Sequence, residues 1–367
     1  MPDVLNSRQL NRATLARQML LERADMPLEA AVRFLGGLQA QQSNDPYIAL
    51  WSRLAGFRIA DLSALVVGRR LVRATSMRGT LHLHTADDLL GLRPLVAPFL
   101  KAMWTSNFKK RFGDADVKAV QRAGIRLLDK SPMTSGALGK ALQAKFPSGE
   151  PQAKAVLLQV SETLIQVPPT RLWGNGSAPL LARAETWLPP PHKRPLSRID
   201  LLRRYLAAFG PASISDMQVW SRLTKLSVEF EVLRDELVVF TDEAGRTLYD
   251  LPDAPRPDAD TPAPPRFLPL YDNAYLGYDD RSRLLAAGDV KRLNILAEFK
   301  PALLVDGIVA AGWAVRRSKE RATLSVEPYH RLAKAHRREI EAEGEAFIRF
   351  VADDAATFDV EILPVAA

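Results

Sequence analysis

The chain has 367 residues, 47% of them hydrophobic and 25% charged, with a formal net charge of +8. That composition gives a folded protein with core for roughly two to four modules, and its basic excess suits a polyanionic partner. The absence of cysteine excludes disulfides and thiolate metal sites.

The N-terminal "MPDVLNSRQLNRATLARQML" has no signal-type apolar core, and no later run reaches the ~18 apolar residues of a membrane span. A cytoplasmic setting without a membrane partner is therefore expected. Residues 8–22, with Leu10, Leu15 and Leu21 among arginines, read as an amphipathic helix. A second helix follows in "PLEAAVRFLGGL", with Pro27 suited to a first turn and Gly36-Gly37 near its end. Next comes the amide cluster "LQAQQSNDPY", then two short helices in "PYIALWSRL" and "IADLSALVVGR". "RLVRATSMRGTLHLHTA" reads as a β-hairpin around a Met-Arg-Gly turn. Helices followed by a two-stranded hairpin is the order of a winged helix.

The order recurs. "ADVKAVQRAGIRLL" (115–128), "MTSGALGKAL" with Thr134 or Ser135 as N-cap, and "PQAKAVLLQVSETL" read as helices, followed by candidate strands in "LIQVPPT" and "APLLARAETWL". A third set starts at 197 and closes with "ELVVFTDEAGRTLYDL", where "DEAG" makes the hairpin turn. "PDAPRPDADTPAPPR" (252–266) is proline-dense and reads as a linker or exposed loop. Strands in "PALLVDGIVAAGWAVRR", "RATLSVEP" and "FDVEILPV", with a long charged helix in "YHRLAKAHRREIEAEGEAFIRFV", complete the chain. The expected fold class is α+β and mainly helical: three tandem winged-helix motifs with a small, β-rich C-terminal α+β domain. The boundaries are 1–110, 111–192, 193–252 and 253–367. Tandem modules can line a continuous surface, which favours a long ligand such as duplex DNA.

His82 and His84 flank Leu83, which places both on one face of a strand; without zinc spacing or a carboxylate partner, no metal is expected. No phosphate loop, nucleophile elbow or H-E-x-x-H motif occurs, and "GNGSA" (174–178) reads as a turn of the second wing. Two classes remain open: a DNA-binding regulator that docks a recognition helix, or an enzyme acting on DNA bases with the amide cluster as its site.

Three blocks bear on that choice: "LQAQQSNDPYIALWSRL", "SMRGTLHLHTADDL" and "LPLYDNAYLGYDDR". Together they resemble the AlkZ/YcaQ family of winged-helix DNA glycosylases, over about residues 8–364. The family's Q-Φ-Q or Q-Φ-D motif reads Gln39-Ala40-Gln41 here, the Q-x-Q form of the AlkZ-type branch. The resemblance implies a monofunctional, cofactor-free and monomeric glycosylase. Its substrate would be duplex DNA carrying alkylated purines of the N7-alkylguanine kind, and it would work on the nucleoid in a bacterial cytoplasm. The Q-x-Q form further implies bulky adducts or interstrand cross-links from genotoxic natural products, hence self-resistance. A regulator without catalysis and a protein that sequesters the free toxin stay as alternatives.

Alkylation at N7 leaves a fixed positive charge on the base, so the departing base leaves neutral and needs little protonation. What remains is to orient one water and favour an oxocarbenium-like transition state, which preorganised dipoles can do. Gln39 and Gln41 are assigned to that task, against the alternative that they merely finish a helix end. Gln42, Ser43 and Asn44 would bond backbone or phosphate, and Asp45 would cap the next helix. Arg78, Thr80, His82 and His84 would line the cleft, or the histidines would be one packed and one exposed strand position. Arg246, near the third wing's tip, would probe a groove or sit in a solvated turn. Lys101, Lys109, Lys110 and Arg111, mixed with Trp104 and Phe108, form a candidate phosphate-contacting surface or a charged helix face. Asp272, Asn273 and Arg281 match the family's distal block, where their role could be structural.

Overall fold

The computed structural model describes residues 3–190, 195–286, 288–291, 293, 300–318 and 320–365. Strand β1 (Val4–Leu5) leads into helix α1 (Ser7–Arg17), which opens on a reciprocal capping box between Asn6 and Gln9. Helix α1 stops short of the expected residue 22, because Met19 takes a left-handed backbone (φ 56°).

The first unit holds α2 (Leu28–Phe34), β2 (Leu38–Gln39), α3 (Asp45–Trp51), α4 (Ile59–Val67), β3 (Leu71–Thr75) and β4 (Leu81–Thr85). Helix α5 (Ala86–Phe112) then runs 27 residues, about 40 Å. In the sequence only the charged face around Lys101–Arg111 hints at it, and Pro94 and Pro98 lie inside it although proline ordinarily breaks a helix. Its buried stripe of Leu89, Leu92, Val96, Leu100 and Trp104 keeps helical spacing across both prolines, and Thr85 caps it by accepting the Asp88 N–H.

The second unit comprises α6 (Val117–Lys130), β5 (Met133–Thr134), α7 (Ser135–Lys145), α8 (Pro151–Ser161), β6 (Leu164–Val167), β7 (Leu180–Arg183) and α9 (Ala184–Trp187). Thr134 is the N-cap of α7, bonding the Ala137 N–H. The third holds α10 (Arg198–Phe209), α11 (Ile214–Ser221), α12 (Ser227–Val232), β8 (Val238–Asp242) and β9 (Thr247–Asp250). The order of three helices and a hairpin thus occurs three times among the described residues. The C-terminal part contains β10 (Arg266–Phe267), α13 (Asn273–Leu276), β11 (Ala302–Val305), β12 (Ile308–Ser318), β13 (Arg321–Pro328), α14 (Lys334–Val351) and β14 (Thr357–Ile362). The result is a mixed α/β chain.

Sheet pairing binds the units together. The first two hairpins share one six-stranded sheet, ordered β2-β4-β3-β6-β7-β5, through Arg73↔Gln166 and Ala74↔Ile165. The N-terminal β1 adds parallel to β8 of the third hairpin, Val4 opposite Thr241. The C-terminal sheet runs β10 to β14 in order, and α14 covers it with Ile340, Phe347 and Ile348. A single apolar cluster spans α5, α8, α10 and α11 through Leu100, Leu158, Tyr205 and Trp220.

The proline-dense run is not a free linker. Arg8, Arg12 and Arg17 of α1 donate to the carbonyls of Ala259, Thr261 and Pro255, which strap it onto that helix. Arg17 also holds Asp250 in a buried bidentate pair at 2.6 and 2.7 Å. Its prolines suit this path, since an extended segment without internal hydrogen bonds offers its carbonyls to outside donors.

Candidate active site

The amide motif lies along the first hairpin. Strand β2 pairs with the outer edge of β4, with Leu38 opposite Leu83 and Gln39 opposite His82. The Ala40 N–H continues this pairing to the Leu81 carbonyl, and fully buried Ala40 anchors the motif between the two glutamines. Gln39 is 7% exposed, whereas Gln41 lies in the following bend, exposed to solvent. The Gln39 side chain is therefore fixed inside the wall, and that of Gln41 stands at its surface.

Arg78 determines how Gln39 is turned. It sits in the hairpin turn with a left-handed backbone (φ 55°), which aims its guanidinium back across the sheet. Its Nη2 donates to Gln39 Oε1 at 2.8 Å and reaches His82 Nε2 at 3.0 Å, and its Nη1 donates to the Trp220 carbonyl at 2.8 Å. A guanidinium has donors only, so the amide end facing it is the carbonyl, and the Gln39 NH2 is the end turned away from Arg78. The same logic fixes the His82 tautomer. Its Nδ1 meets the Thr80 carbonyl at 3.1 Å and must carry the proton, leaving Nε2 bare to accept from Arg78.

Both histidines are closed to solvent, at 0% and 1% exposure, and their rings stack 5.6 Å apart. This corrects the reading in which they touch DNA or in which only one is packed: they are the backing of Gln39. Burial, then the Arg78 charge, holds His82 well below the ordinary histidine range; burial likewise brings His84, which meets Ser76 Oγ at 2.9 Å, down to about 4. Gly37 (φ 94°) is required beside them, since a Cβ there would stand 2.3 Å from His84 Nδ1.

The turn after Gln41 is held from beneath. Asp45 does not cap the helix as expected: it is the first residue of α3, whose N-cap is Asn44 without a side-chain cap bond. Its carboxylate accepts the Gln42 N–H at 2.8 Å instead, while burial raises its carboxyl to about 6. Arg73, buried, donates to the Gln42 carbonyl. Asn44 Oδ1 accepts the Gly174 N–H at 3.0 Å, and Ser43 Oγ donates to the Asn175 carbonyl at 2.9 Å, so both side chains tie the turn to the neighbouring loop. From the other side, Asn273 grips both edges of the motif: its Nδ2 donates to the Gly37 carbonyl and its Oδ1 accepts the Gln39 N–H at 3.4 Å. Asp272 caps the helix carrying Asn273 and forms a buried bidentate pair with Arg53 at 2.7 and 2.9 Å.

These buried ionisable groups give the fold an opposed response to acid. His82 and His84 have folded pKa values below the ~6.5 of an unfolded histidine, so from pH ~6.5 down to about 4 the unfolded chain binds more protons and stability falls. Asp45, raised to about 6 against ~3.9 unfolded, takes its proton first in the native state and gains stability over much of the same window. Two histidines outweigh one carboxyl. Between pH 7 and pH 4.5 the drop in urea midpoint is therefore expected to be smaller in His84→Gln and larger in Asp45→Asn than in the unaltered chain. Equal drops in all three proteins would show that these groups do not set the response.

The other expected DNA contacts divide. Lys101, Lys109 and Lys110 are exposed on α5. Arg111 is engaged by Glu150 at 3.0 Å and by Gln152, and Trp104 is in the core, donating to the Ala153 carbonyl. Arg246 is no free probe either: it is shared between Asp242 and Asp280, which raise its pKa. Thr80 is partly buried with its hydroxyl on the Met77 carbonyl. Sequence reasoning missed Arg73, the Trp220 carbonyl and Arg222. Arg222 is exposed at the C-cap of α11, and its charge and that of Arg281 act on Arg78, which burial chiefly lowers to about 10. The motif is thus set in a positive field of three guanidiniums, one of which, Arg281, lies over the Tyr275 ring at 4.7 Å.

A family model for AlkZ-like DNA glycosylases matches residues 32–350. The chain belongs to that family. The match takes in the Gln39–Gln41 motif, the hairpin bearing Arg78 and the 272–281 block, which the fold brings together. The AlkZ-like protein is accordingly a DNA glycosylase, an enzyme of DNA repair. Among solved structures it is similar to the Streptomyces sahachiroi DNA glycosylase AlkZ, with a TM-score of 0.77 and 20% identity over 98% of this chain and 100% of that one. At that identity the likeness establishes the fold. No curated protein sequence matches the chain. Among the described residues no helix is long and apolar enough to cross a membrane, and no three metal-ligating side chains gather.

Proposed function

We propose that this glycosylase releases purines made cationic by N7 alkylation, and that two neutral amides with no ionised base carry the reaction. The observation behind this reading is that the polar groups around Gln39 cannot serve as a strong base. His82 is neutral, buried and already accepting from Arg78, and the Asp45 carboxylate is shut beneath the turn at 5% exposure, bound to the Gln42 N–H, where it does not reach the surface that Gln41 occupies. A lesion that needs a proton or a strongly activated water would be badly served. A base that already bears a charge needs neither.

In the step itself, the C1′–N9 bond breaks with its electron pair going to N9, which neutralises the base. Water oxygen bonds to C1′ and its proton passes to solvent. Gln41, exposed and able to offer its carbonyl, holds that water, and the Gln39 NH2, aimed by Arg78, donates to a ring nitrogen of the departing purine. The three helix–hairpin units act as tandem winged helices on duplex DNA, within the boundaries 1–110, 111–192 and 193–252, followed by the C-terminal domain 253–367. The enzyme works as a monomer. An exposed Gln41 on a wall accommodates large groups on the base, so bulky adducts and interstrand cross-links of genotoxic natural products are the intended lesions.

The regulator reading lacks a reading helix. The third helices of the units are α4, with no basic residue; α8, packed inward through Lys154, Leu157, Leu158 and Val160; and α12, which bears Glu229 and Glu231. Helices α4 and α12 carry no Arg, Lys, Asn or Gln to read base edges in a major groove, and on α8 Gln152 is held by Arg111 and Gln159 by Ser135.

The test is a duplex carrying a single 7-methylguanine, incubated with the protein and then treated with alkali to cut abasic sites. Strand breaks are expected on this duplex but not on one carrying hypoxanthine, whose base is uncharged. Cutting of hypoxanthine without 7-methylguanine would overturn the proposal, and sequence-specific binding with no base release would favour the regulator.

A further inference from the structure

The loop between β6 and β7 touches the amide turn more closely than any reading of its sequence implied. The Gly174 N–H bonds Asn44 Oδ1 at 3.0 Å, and Ser43 Oγ bonds the Asn175 carbonyl at 2.9 Å. Arg73 joins the two from below, donating to the Gln42 carbonyl with Nη2 and to the Arg171 carbonyl with Nη1 at 3.4 Å. Trp173 pins the loop into the core, 5.3 Å from the Tyr47 ring and 5.4 Å from Phe350. The tip is braced internally: Asn175 Nδ2 donates to the Pro169 carbonyl at 2.9 Å, and its Oδ1 accepts from Ser177 N at 3.0 Å and Oγ at 2.6 Å. A segment anchored at this many points is a fixed wall and not a loose flap.

Only small neutral residues stand on its outer rim. Gly174, Gly176, Ser177 and Ala178 are exposed and uncharged, and a Cβ placed on Gly174 or Gly176 would meet no atom within 4 Å. Gly174 needs its glycine for backbone reasons (φ 70°), but Gly176 has no positive φ to demand one. Local folding does not explain why Gly176 has no side chain. Its neighbours Gly174 and Asn175 are bonded to Asn44 and Ser43 of the turn that follows Gln41. The open space at Gly176 therefore lies next to that turn and leaves room for whatever is attached to the base.

We infer that the 174–178 rim is the size-determining wall of the lesion site, and that its missing side chains admit large N7 substituents. The inference deepens the proposed alkylpurine activity and rests on it. It predicts a change in substrate range without loss of chemistry.

The experiment compares duplexes carrying 7-methylguanine or 7-benzylguanine, with the unaltered protein and with Gly176→Phe and Ala178→Phe. The unaltered protein is expected to release both bases at rates within about tenfold. In each variant 7-methylguanine release should stay within about threefold, while 7-benzylguanine release falls at least tenfold. Unchanged thermal midpoints would confirm that the added rings project into open space. Parallel loss of both substrates in both variants, no change in either, or an unaltered protein that rejects 7-benzylguanine would each overturn the inference. An unaltered protein inactive on 7-methylguanine would instead remove the alkylpurine reading, and the wall with it.

Discussion

Replacing Gln39 and Gln41 together by alanine is expected to slow release of 7-methylguanine by about 10²–10³-fold, the cost typical of removing a preorganised dipole from an active site. Affinity for the undamaged duplex should stay within about threefold, because phosphate contacts supply most of it and neither amide is charged. The loss belongs in kcat more than in KM, since both interactions strengthen as charge moves from base to sugar. Gln39→Glu separates two explanations. A carboxylate there would satisfy Arg78 at least as well as the amide does, so the strand should stay in place, yet the side chain would have no N–H to donate. Strong loss of activity in that variant would support donation to the leaving base, and full activity would show that Gln39 only fills the wall. Release by the double alanine variant at the unaltered rate would remove the glutamine mechanism altogether.

How far the molecule could be read in advance depended on the range of the interactions involved. The hairpins were legible because their signals are local: a Met-Arg-Gly or Asp-Glu-Ala-Gly turn between alternating strands fixes its own register. So was the cap of α7, where Thr134 takes the N-cap position, whereas Asp45 lies inside α3 and bonds the preceding turn instead of capping the helix. The full length of helix α5 was not legible, because it rests on a long apolar stripe that persists across Pro94 and Pro98 and whose partner, α8, lies some 50 residues away in sequence. The proline-dense run is the irregular, partly exposed segment that its composition implied, but its docking was not legible for the same kind of reason. Nothing within it announces that arginines from α1, more than 230 residues earlier, will bind its carbonyls.

The site divides in the same way. The Gln39-Ala40-Gln41 spacing stood in the sequence, but which way the Gln39 amide is turned is decided by Arg78, and the aim of Arg78 by a left-handed turn and by the Trp220 carbonyl. His82 and His84 were placed on a common strand face without any sign that the face was buried. Charge composition was the poorest guide. It counted Arg111 and Arg246 as free cations, whereas the fold gives each an acidic partner.

Asp272→Ala is expected to have the largest effect on stability, about 3–5 kcal/mol, the range for breaking a buried ion pair by removing one member. Arg53 is 0% exposed and Asp272 3%, so the guanidinium would be left in the interior with the Ala49 carbonyl and the Gln18 amide as its remaining partners. The substitution also deletes the cap of α13 and with it the placement of Asn273, whose side chain ties the Gly37 carbonyl and the Gln39 N–H. Activity per folded molecule should therefore fall together with stability, by about tenfold, even at temperatures where the variant is fully native. Asn273→Ala separates the two effects. It leaves the Arg53–Asp272 pair intact, so its urea midpoint should move far less than that of Asp272→Ala while its release rate drops comparably. A stability loss below about 1 kcal/mol in Asp272→Ala would mean that Arg53 finds water or another partner. Full activity in Asn273→Ala would mean that the strand carrying Gln39 is held by β4 and Arg78 alone, and that the distal block serves the fold without touching the chemistry.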